Sequence, residues 1–244
     1  MIFNKAINTF LEYLYPENIS CILCDKPIKK TNTYSLCKDC FKELNFIQSG
    51  CVKCGKPIVY YSLEENDELR CSVCKSKNYY FDKGISCIEY NDSSKNLILA
   101  FKYNKKTYLA RYIAQIIKEK ISTESINFDY ILFVPIQKKR LKERGFNQSE
   151  KIAKYLSELI DVPVLDCIYR KENTRKLYNL SKIERSIELK NAFDVKNNIE
   201  CLKNKNVLLV DDIFTTGNTV NEISKLLKIN NINKVFVFTL LSKI

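Results

Sequence analysis

The sequence predicts a small N-terminal module folded around four-cysteine zinc sites, followed by an α/β domain on a doubly wound, mostly parallel sheet. Three observations carry this. Four C-x-x-C pairs crowd residues 21 to 74, and the chain has 11 cysteines and no histidine. From about residue 83, short apolar runs alternate with helix-periodic segments, the pattern of β-α units. One apolar run, Val207 to Val210, ends at Asp211-Asp212 and is followed by the small-residue turn Thr215-Thr216-Gly217-Asn218-Thr219.

Taken in order, residues 1–18 hold an amphipathic helix, with Phe3, Ile7, Phe10, Leu11 and Leu14 on one face. Residues 19–82 form the cysteine module. Cys21, Cys24, Cys37 and Cys40 make one set, and Cys51, Cys54, Cys71 and Cys74 the other. Each C-x-x-C knuckle offers two sulfurs to one ion, and two knuckles complete a closed, structural Zn²⁺ site with no position left for water. The run Cys21-Ile-Leu-Cys24-Asp-Lys-Pro27-Ile28 repeats as Cys51-Val-Lys-Cys54-Gly-Lys-Pro57-Ile58. This duplication points to tandem ribbons paired sequentially; cross-braced pairing of 21/24 with 51/54 is the alternative. Zinc thiolates rather than disulfides imply a reducing compartment, hence the cytoplasm. Cys87, Cys167 and Cys201 lack such partners and read as small buried or semi-buried residues.

Residues 83–244 form the α/β domain. Strands are expected at Ile85–Tyr90, Tyr130–Val134, Val162–Ile168, Phe193–Val195, Val207–Val210 and Lys234–Leu240. Helices are expected at Lys95–Phe101, Leu109–Ile117 and Glu150–Ile160, with another after Thr219 carried by Val220, Ile223, Leu226 and Leu227.

Composition sets limits. Hydrophobic residues make up 45% of the 244-residue chain, enough for a proper core. No stretch of about 18 apolar residues is present to cross a membrane. Without histidine, His-dependent general-base chemistry is excluded. The net charge is +12, falling to about +8 if two four-thiolate zinc sites each contribute about −2. Lysines such as Lys26, Lys53, Lys75 and Lys77 interleave with Tyr34, Tyr60, Tyr61, Tyr79 and Tyr80 around the knuckles. Basic residues among aromatics suit single-stranded nucleic acid; a solvated lysine surface is the plainer reading.

Two segments carry chemistry. The Asp211-Asp212 turn follows a strand and precedes a helix, which puts it at the carboxyl edge of the sheet, where α/β proteins bind ligands. The N–H groups of a helix start suit a phosphate, and a neighbouring carboxylate pair suits polyol hydroxyls or a metal-bound sugar phosphate. The plainer reading is a solvated Asp-Asp turn and a capped helix. The second segment, residues 134–148, leaves a strand and at once becomes basic through Lys138, Lys139, Arg140 and Arg144 before Gly145-Phe-Asn-Gln148. A basic loop at a strand's carboxyl end is what a polyphosphate requires.

The string Leu-Val-Asp-Asp-Ile-Phe-Thr-Thr-Gly-Asn-Thr closely resembles the signature of type I phosphoribosyltransferases. With the V-P…R-G-F-N-Q segment and the cysteine module, the chain resembles the ComF family from about residue 20 onward. Lys102-Tyr103 fits an L-K-Y-type segment of that family. The resemblance implies a type I phosphoribosyltransferase-like fold and a site for phosphoribosyl pyrophosphate (PRPP) with Mg²⁺. Asp211 and Asp212 would hold the ribose hydroxyls, and Thr215, Thr216, Gly217, Asn218 and Thr219 the 5′-phosphate. Lys138, Lys139, Arg140 and Arg144 would hold the pyrophosphate, Arg144 acting with the two aspartates in catalysis. It also implies a flexible loop over 170–193, from whose family pattern this chain departs at Leu177, Glu188 and Asn191. The function implied is uptake or handling of single-stranded DNA in natural transformation, with DNA-uptake or recombination proteins as partners. The alternative is a metabolic transferase that moves ribose 5-phosphate from PRPP to a nitrogen acceptor.

Overall fold

The computed structural model describes residues 19–58, 69–103, 106–171 and 192–243. The expected N-terminal helix, Tyr60, Tyr61 and most of the 170–193 loop lie outside the described residues.

Among the described residues the main sheet has four strands, β1 (Lys83–Glu89), β2 (Tyr130–Phe133), β5 (Asn206–Phe214) and β6 (Lys234–Ser242). They lie in the order β1-β6-β5-β2, all parallel. A separate antiparallel pair joins β3 (Ile168–Arg170) to β4 (Phe193–Val195). Strand β5 lies inside the sheet and alternates its side chains between two cores. Leu208 and Val210 join one cluster with α3 (Asp92–Tyr103), α4 (Leu109–Ser122) and α6 (Gln148–Ile160). Val207 and Leu209 join the other with α7 (Asn218–Ile229) and the β3–β4 pair. A run buried on both faces is what a parallel interior strand needs, and helices on both faces make the sheet doubly wound.

The two ribbons use the same local chemistry. In each knuckle the first cysteine's N–H donates to the lysine carbonyl five residues on, at 2.8 Å in both. Asp25 and Gly55 take the matching left-handed position, at φ 57° and 70°. The second half of each site opens a short helix, α1 (Lys38–Glu43) after Cys37 and α2 (Ser72–Ser76) after Cys71.

The module wraps the edge of the sheet. Between the ribbons, Phe46 bridges antiparallel to Ile88, with Ile47 N–H donating to Cys87 O and Glu89 N–H to Asn45 O. This covers the open side of β1, an edge that would otherwise present unpaired backbone groups. Cys21, Ile22, Leu36, Cys40 and Leu44 enter the α3/α4/α6 core, and Cys51, Cys54 and Cys74 enter the α7 core. Each ribbon therefore completes a different face of one sheet.

Three sequence expectations change. The 162–168 segment does not form a continuous strand: Val164 makes one parallel bridge to Ile131, and regular pairing resumes at Ile168. Pro163 has no N–H to donate, so a ladder cannot run through it. Strand β5 does not stop at the aspartates; it continues to Phe214 because β6 is long enough to pair with it, Asp211 opposite Thr239 and Phe214 opposite Ser242. The basic stretch after Pro135 is a helix, α5 (Lys138–Arg144), rather than a loop. It ends at Gly145, whose φ of 80° is the left-handed cap that glycine adopts without Cβ strain, its N–H donating to Leu141 O at 2.8 Å.

Candidate functional site

The candidate site lies where β2 ends beside β5, which itself runs on alongside β6. Phe133 pairs with Val210, and Val134 N–H donates to Val210 O at 3.0 Å. The chain leaving β2 and the aspartates of β5 are thus neighbours by register. Beyond Val134 the backbone is steered by Asn147, whose Nδ2 donates to Val134 O while its Oδ1 caps α6 by accepting from Ser149 N–H. The Phe-Asn-Gln part of the basic motif is therefore an anchor. Phe146 packs on Phe101 (centroids 5.5 Å apart), Asn147 ties α6 to β2, and Gln148 accepts from Arg144 at 3.0 Å.

The first turn of α6 reaches the acidic pair, where Ser149 Oγ donates to Asp211 Oδ1 at 3.2 Å. The same oxygen accepts Asp212 N–H at 2.9 Å. Lys102, at the end of α3, places Nζ 2.5 Å from Asp212 Oδ2, both side chains being mostly shielded from water. Burial, helped by the Asp212 charge, pushes the Asp211 carboxyl up to about 7 against the pull of the Asp212 N–H, Lys102 and Ser149. The pair is arranged so that one carboxylate is charge-paired and the other is poised between protonated and ionised near neutral pH.

Next to Lys102, Tyr103 accepts a hydrogen bond from Arg144 Nη2 at 3.0 Å, and the guanidinium sits over its ring at 5.0 Å. Arg144 Nε and Gln148 Nε2 are buried with no hydrogen-bond partner among the described residues. Two unpaired donors at the end of the basic helix are what an anion would satisfy. Lys138, Lys139 and Arg140 are exposed on α5, Lys139 facing Glu143 at 3.9 Å. Arg144 is tied through Tyr103 and Gln148 into the framework around the acidic pair.

The turn Thr215-Thr216-Gly217 leads into α7 at Asn218. Both threonines are exposed and Gly217 is buried at φ 68°. A Cβ at Gly217 would lie 2.5 Å from the Phe214 ring and 3.0 Å from the Tyr79 ring, so only glycine fits. Thr219 lies on the first turn of α7, so this small-residue segment runs from the end of β5 into the helix start.

The eight C-x-x-C cysteines fall into two groups, Cys21/Cys24/Cys37/Cys40 and Cys51/Cys54/Cys71/Cys74, each with its sulfurs within 4.8 Å of one another. The pairing is sequential, not cross-braced. Cys24 and Cys37 Sγ are 3.8 Å apart, and Cys54 and Cys71 Sγ 3.7 Å. A tetrahedron with Zn–S bonds of about 2.3 Å has edges near this length. Both sets fit Zn²⁺ with every position filled by sulfur.

Other sequence expectations meet a different use. Tyr34 packs against Phe41 and Phe46 and donates its hydroxyl to Glu119. Tyr79 is buried against Phe81 and Phe214. Lys53 donates to the carbonyls of Phe81 and Asp82. These residues hold the ribbons to the α/β body instead of forming a base-stacking surface; Tyr80, nearly half exposed, remains on the surface. Conversely, Lys102, Tyr103 and Ser149 join the site with no spacing signal of their own. For Lys102-Tyr103 the family resemblance was the one available clue.

Comparison with known proteins agrees with this architecture. A model for a double zinc ribbon domain matches residues 10–75, and one for a phosphoribosyl transferase domain matches residues 103–244. The chain is 29% identical over 229 residues to competence protein F of Haemophilus influenzae, covering 91% of this chain and 96% of that one. It is 28% identical over 226 residues to DNA utilization protein YhgH of Salmonella typhimurium, covering 90% and 95%. It is 25% identical over 237 residues to competence protein ComFC of Bacillus subtilis, covering 91% and 94%.

Proposed function

Because the chain belongs to the phosphoribosyl transferase domain family, with a double zinc ribbon ahead of that domain, we propose that it binds PRPP with Mg²⁺ and acts in the handling of single-stranded DNA during natural transformation. The observation that carries the ligand assignment is the joining of Asp211, Asp212, Lys102 and Ser149 in the C-terminal part of β5, ahead of the Thr-Thr-Gly-Asn-Thr turn. On this reading the aspartates take the ribose hydroxyls and the turn takes the 5′-phosphate. Arg144, with Lys138, Lys139 and Arg140, faces the pyrophosphate, and the buried unpaired Arg144 Nε supports that role. Bound Mg²⁺ would neutralise pyrophosphate charge. The protein's part is to orient the sugar and stabilise the charge that builds up on the leaving group.

The role in transformation draws on the relatives named competence and DNA utilization proteins and on the +12 charge. Among the described residues no helix is long and apolar enough to cross a membrane, and thiolate zinc sites suit a reducing cytoplasm. The second reading is a metabolic transferase with a nitrogen acceptor, favoured by the completeness of the acidic pair and its partners. One experiment divides the two. Purified protein is incubated with Mg²⁺ and PRPP and a panel of nucleobases, and pyrophosphate is assayed; in parallel it is titrated against single-stranded DNA in a gel shift. The first reading predicts a shift that weakens steeply with salt and no base-dependent pyrophosphate. Base-dependent pyrophosphate release with no shift at low salt establishes the second.

A further inference from the structure

The second zinc ribbon does not merely sit beside the α/β domain; it holds the Thr-Thr-Gly-Asn-Thr turn by its outer side. Helix α2 carries the zinc ligand Cys74, and the chain leaving it continues as Lys77 to Tyr80. Lys77 Nζ donates to Asn218 Oδ1 at 2.7 Å and to Thr216 O at 3.4 Å, and lies 4.6 Å from the centroid of the Tyr79 ring. The Tyr79 hydroxyl donates to the same Thr216 carbonyl at 3.1 Å. Tyr80 N–H donates to Asn221 Oδ1 at 2.8 Å, one turn further along α7. The Tyr79 ring is also one of the two groups that leave no room for a side chain at Gly217.

We propose that Lys77 and Tyr79 are positioning residues for the phosphate cradle, which makes the second zinc ribbon an integral part of the ligand site; this rests on the PRPP reading above. The peptide joining Thr216 to Gly217 is trans, since no cis bond occurs among the described residues. In a trans peptide the carbonyl and the following N–H point to opposite sides. Two donors from the ribbon fix the Thr216 oxygen on the ribbon side, and so fix the Gly217 N–H on the side away from it, toward the cradle. Lys77 also occupies Asn218 Oδ1, which would otherwise be free to accept helix-start N–H groups that an anion needs. The cradle is thereby held open and preorganised before ligand arrives.

The clamp depends on zinc. Helix α2 has five residues, too few to be stable alone, and a small four-cysteine module draws its order from the metal. Loss of zinc from the Cys51/Cys54/Cys71/Cys74 site therefore releases Lys77 and Tyr79 from the turn. Affinity for a sugar 5′-phosphate becomes a function of zinc occupancy at a site that contributes no ligand atom to it.

The test is calorimetric titration of the full zinc-loaded chain with ribose 5-phosphate and, separately, with magnesium pyrophosphate. Three variants are compared: Lys77→Met, Lys77→Arg and Tyr79→Phe. Lys77→Met is expected to weaken ribose 5-phosphate about tenfold, the scale of one charge-assisted hydrogen bond, and Tyr79→Phe a few-fold. Lys77→Arg should retain most of the affinity. Pyrophosphate affinity and a zinc content of about two per chain should be unchanged in all three. Unaltered ribose 5-phosphate binding in Lys77→Met and Tyr79→Phe overturns the inference, as does an equal loss for both ligands. If the unsubstituted protein binds neither PRPP nor ribose 5-phosphate, the PRPP reading itself falls and takes this inference with it.

Discussion

Lys102 Nζ stands 2.5 Å from Asp212 Oδ2, with the two side chains only 15% and 16% exposed. A lysine from the end of α3 thus neutralises one member of the acidic pair at the carboxyl edge of β5. Removing it leaves two adjacent carboxylates in a poorly hydrated place. Lys102→Met is expected to destabilise the fold by about 1–3 kcal/mol, below the cost of breaking a fully buried pair because some solvent reaches it. Combining it with Asp212→Asn should recover part of that loss. Urea unfolding of the single and double variants measures the coupling; strict additivity would mean the contact contributes nothing.

Asp211 gives the fold a defined pH dependence. Its folded pKa, pushed up to about 7 chiefly by burial, lies above the 3.8 of an ordinary aspartate. Between these values the folded state binds more protons than the unfolded one. Stability from this group is therefore full below about pH 4 and is lost as pH rises through 7, by at most about 1.4 kcal/mol per pH unit. Asp211→Asn should flatten this part of the stability profile, making the variant progressively more stable relative to the unsubstituted protein from pH 4 to pH 7. A pH-independent difference between the two would contradict the assignment.

The two left-handed glycines of the site region should respond differently to alanine. Gly145 has φ 80° with open space where a Cβ would point, whereas Gly217 has φ 68° and a ring atom of Phe214 at 2.5 Å. Gly145→Ala should cost about 1–2 kcal/mol, the backbone penalty alone. Gly217→Ala adds a clash inside the Tyr79/Phe81/Phe214 cluster and should cost clearly more. Thermal melts of both variants check the order; equal costs would mean the turn adapts freely.

The zinc sites should differ in how far the fold depends on individual ligands. Cys54 is 1% exposed, and the neighbouring Lys53 carbonyl accepts Gly84 N–H at the start of β1, whereas Cys24 is exposed. Either Cys→Ser substitution should lower the bound zinc from about two to about one per chain. Cys54→Ser should reduce the melting temperature more, because Cys54 is itself buried in the α7 core whereas Cys24 is exposed. Metal analysis with calorimetric melting reads both quantities, and a larger drop for Cys24→Ser would reverse the ranking.

Much of this architecture was legible in the chain. The alternation of Leu208 and Val210 against Val207 and Leu209 makes β5 a strand buried on both faces, and the knuckle repeat pointed to the sequential zinc sets. Polarity misled at two places. Asp211 and Asp212 look like a strand end, yet backbone pairing depends on the partner strand, and β6 continues past them. Lys138 to Arg144 looks like an anion-binding loop, yet a lysine- and arginine-rich stretch closed by glycine is a good helix. The tertiary partners of the site, Lys102, Ser149, Lys77 and Tyr79, could not be read from spacing. They lie on separate segments, Lys102 and Ser149 reaching the aspartates of β5 and Lys77 and Tyr79 the turn that follows it.

Isothermal titration of the zinc-loaded protein with PRPP in Mg²⁺ probes the site built on the Asp211-Asp212 pair and the turn that follows it. Saturable binding is expected, strengthening as pH rises through 7, when Asp211 ionises, and falling at least tenfold in Asp211→Asn/Asp212→Asn, about the loss of one strong charge-assisted contact. No binding by the unsubstituted protein, or equal binding by the double variant, would contradict it.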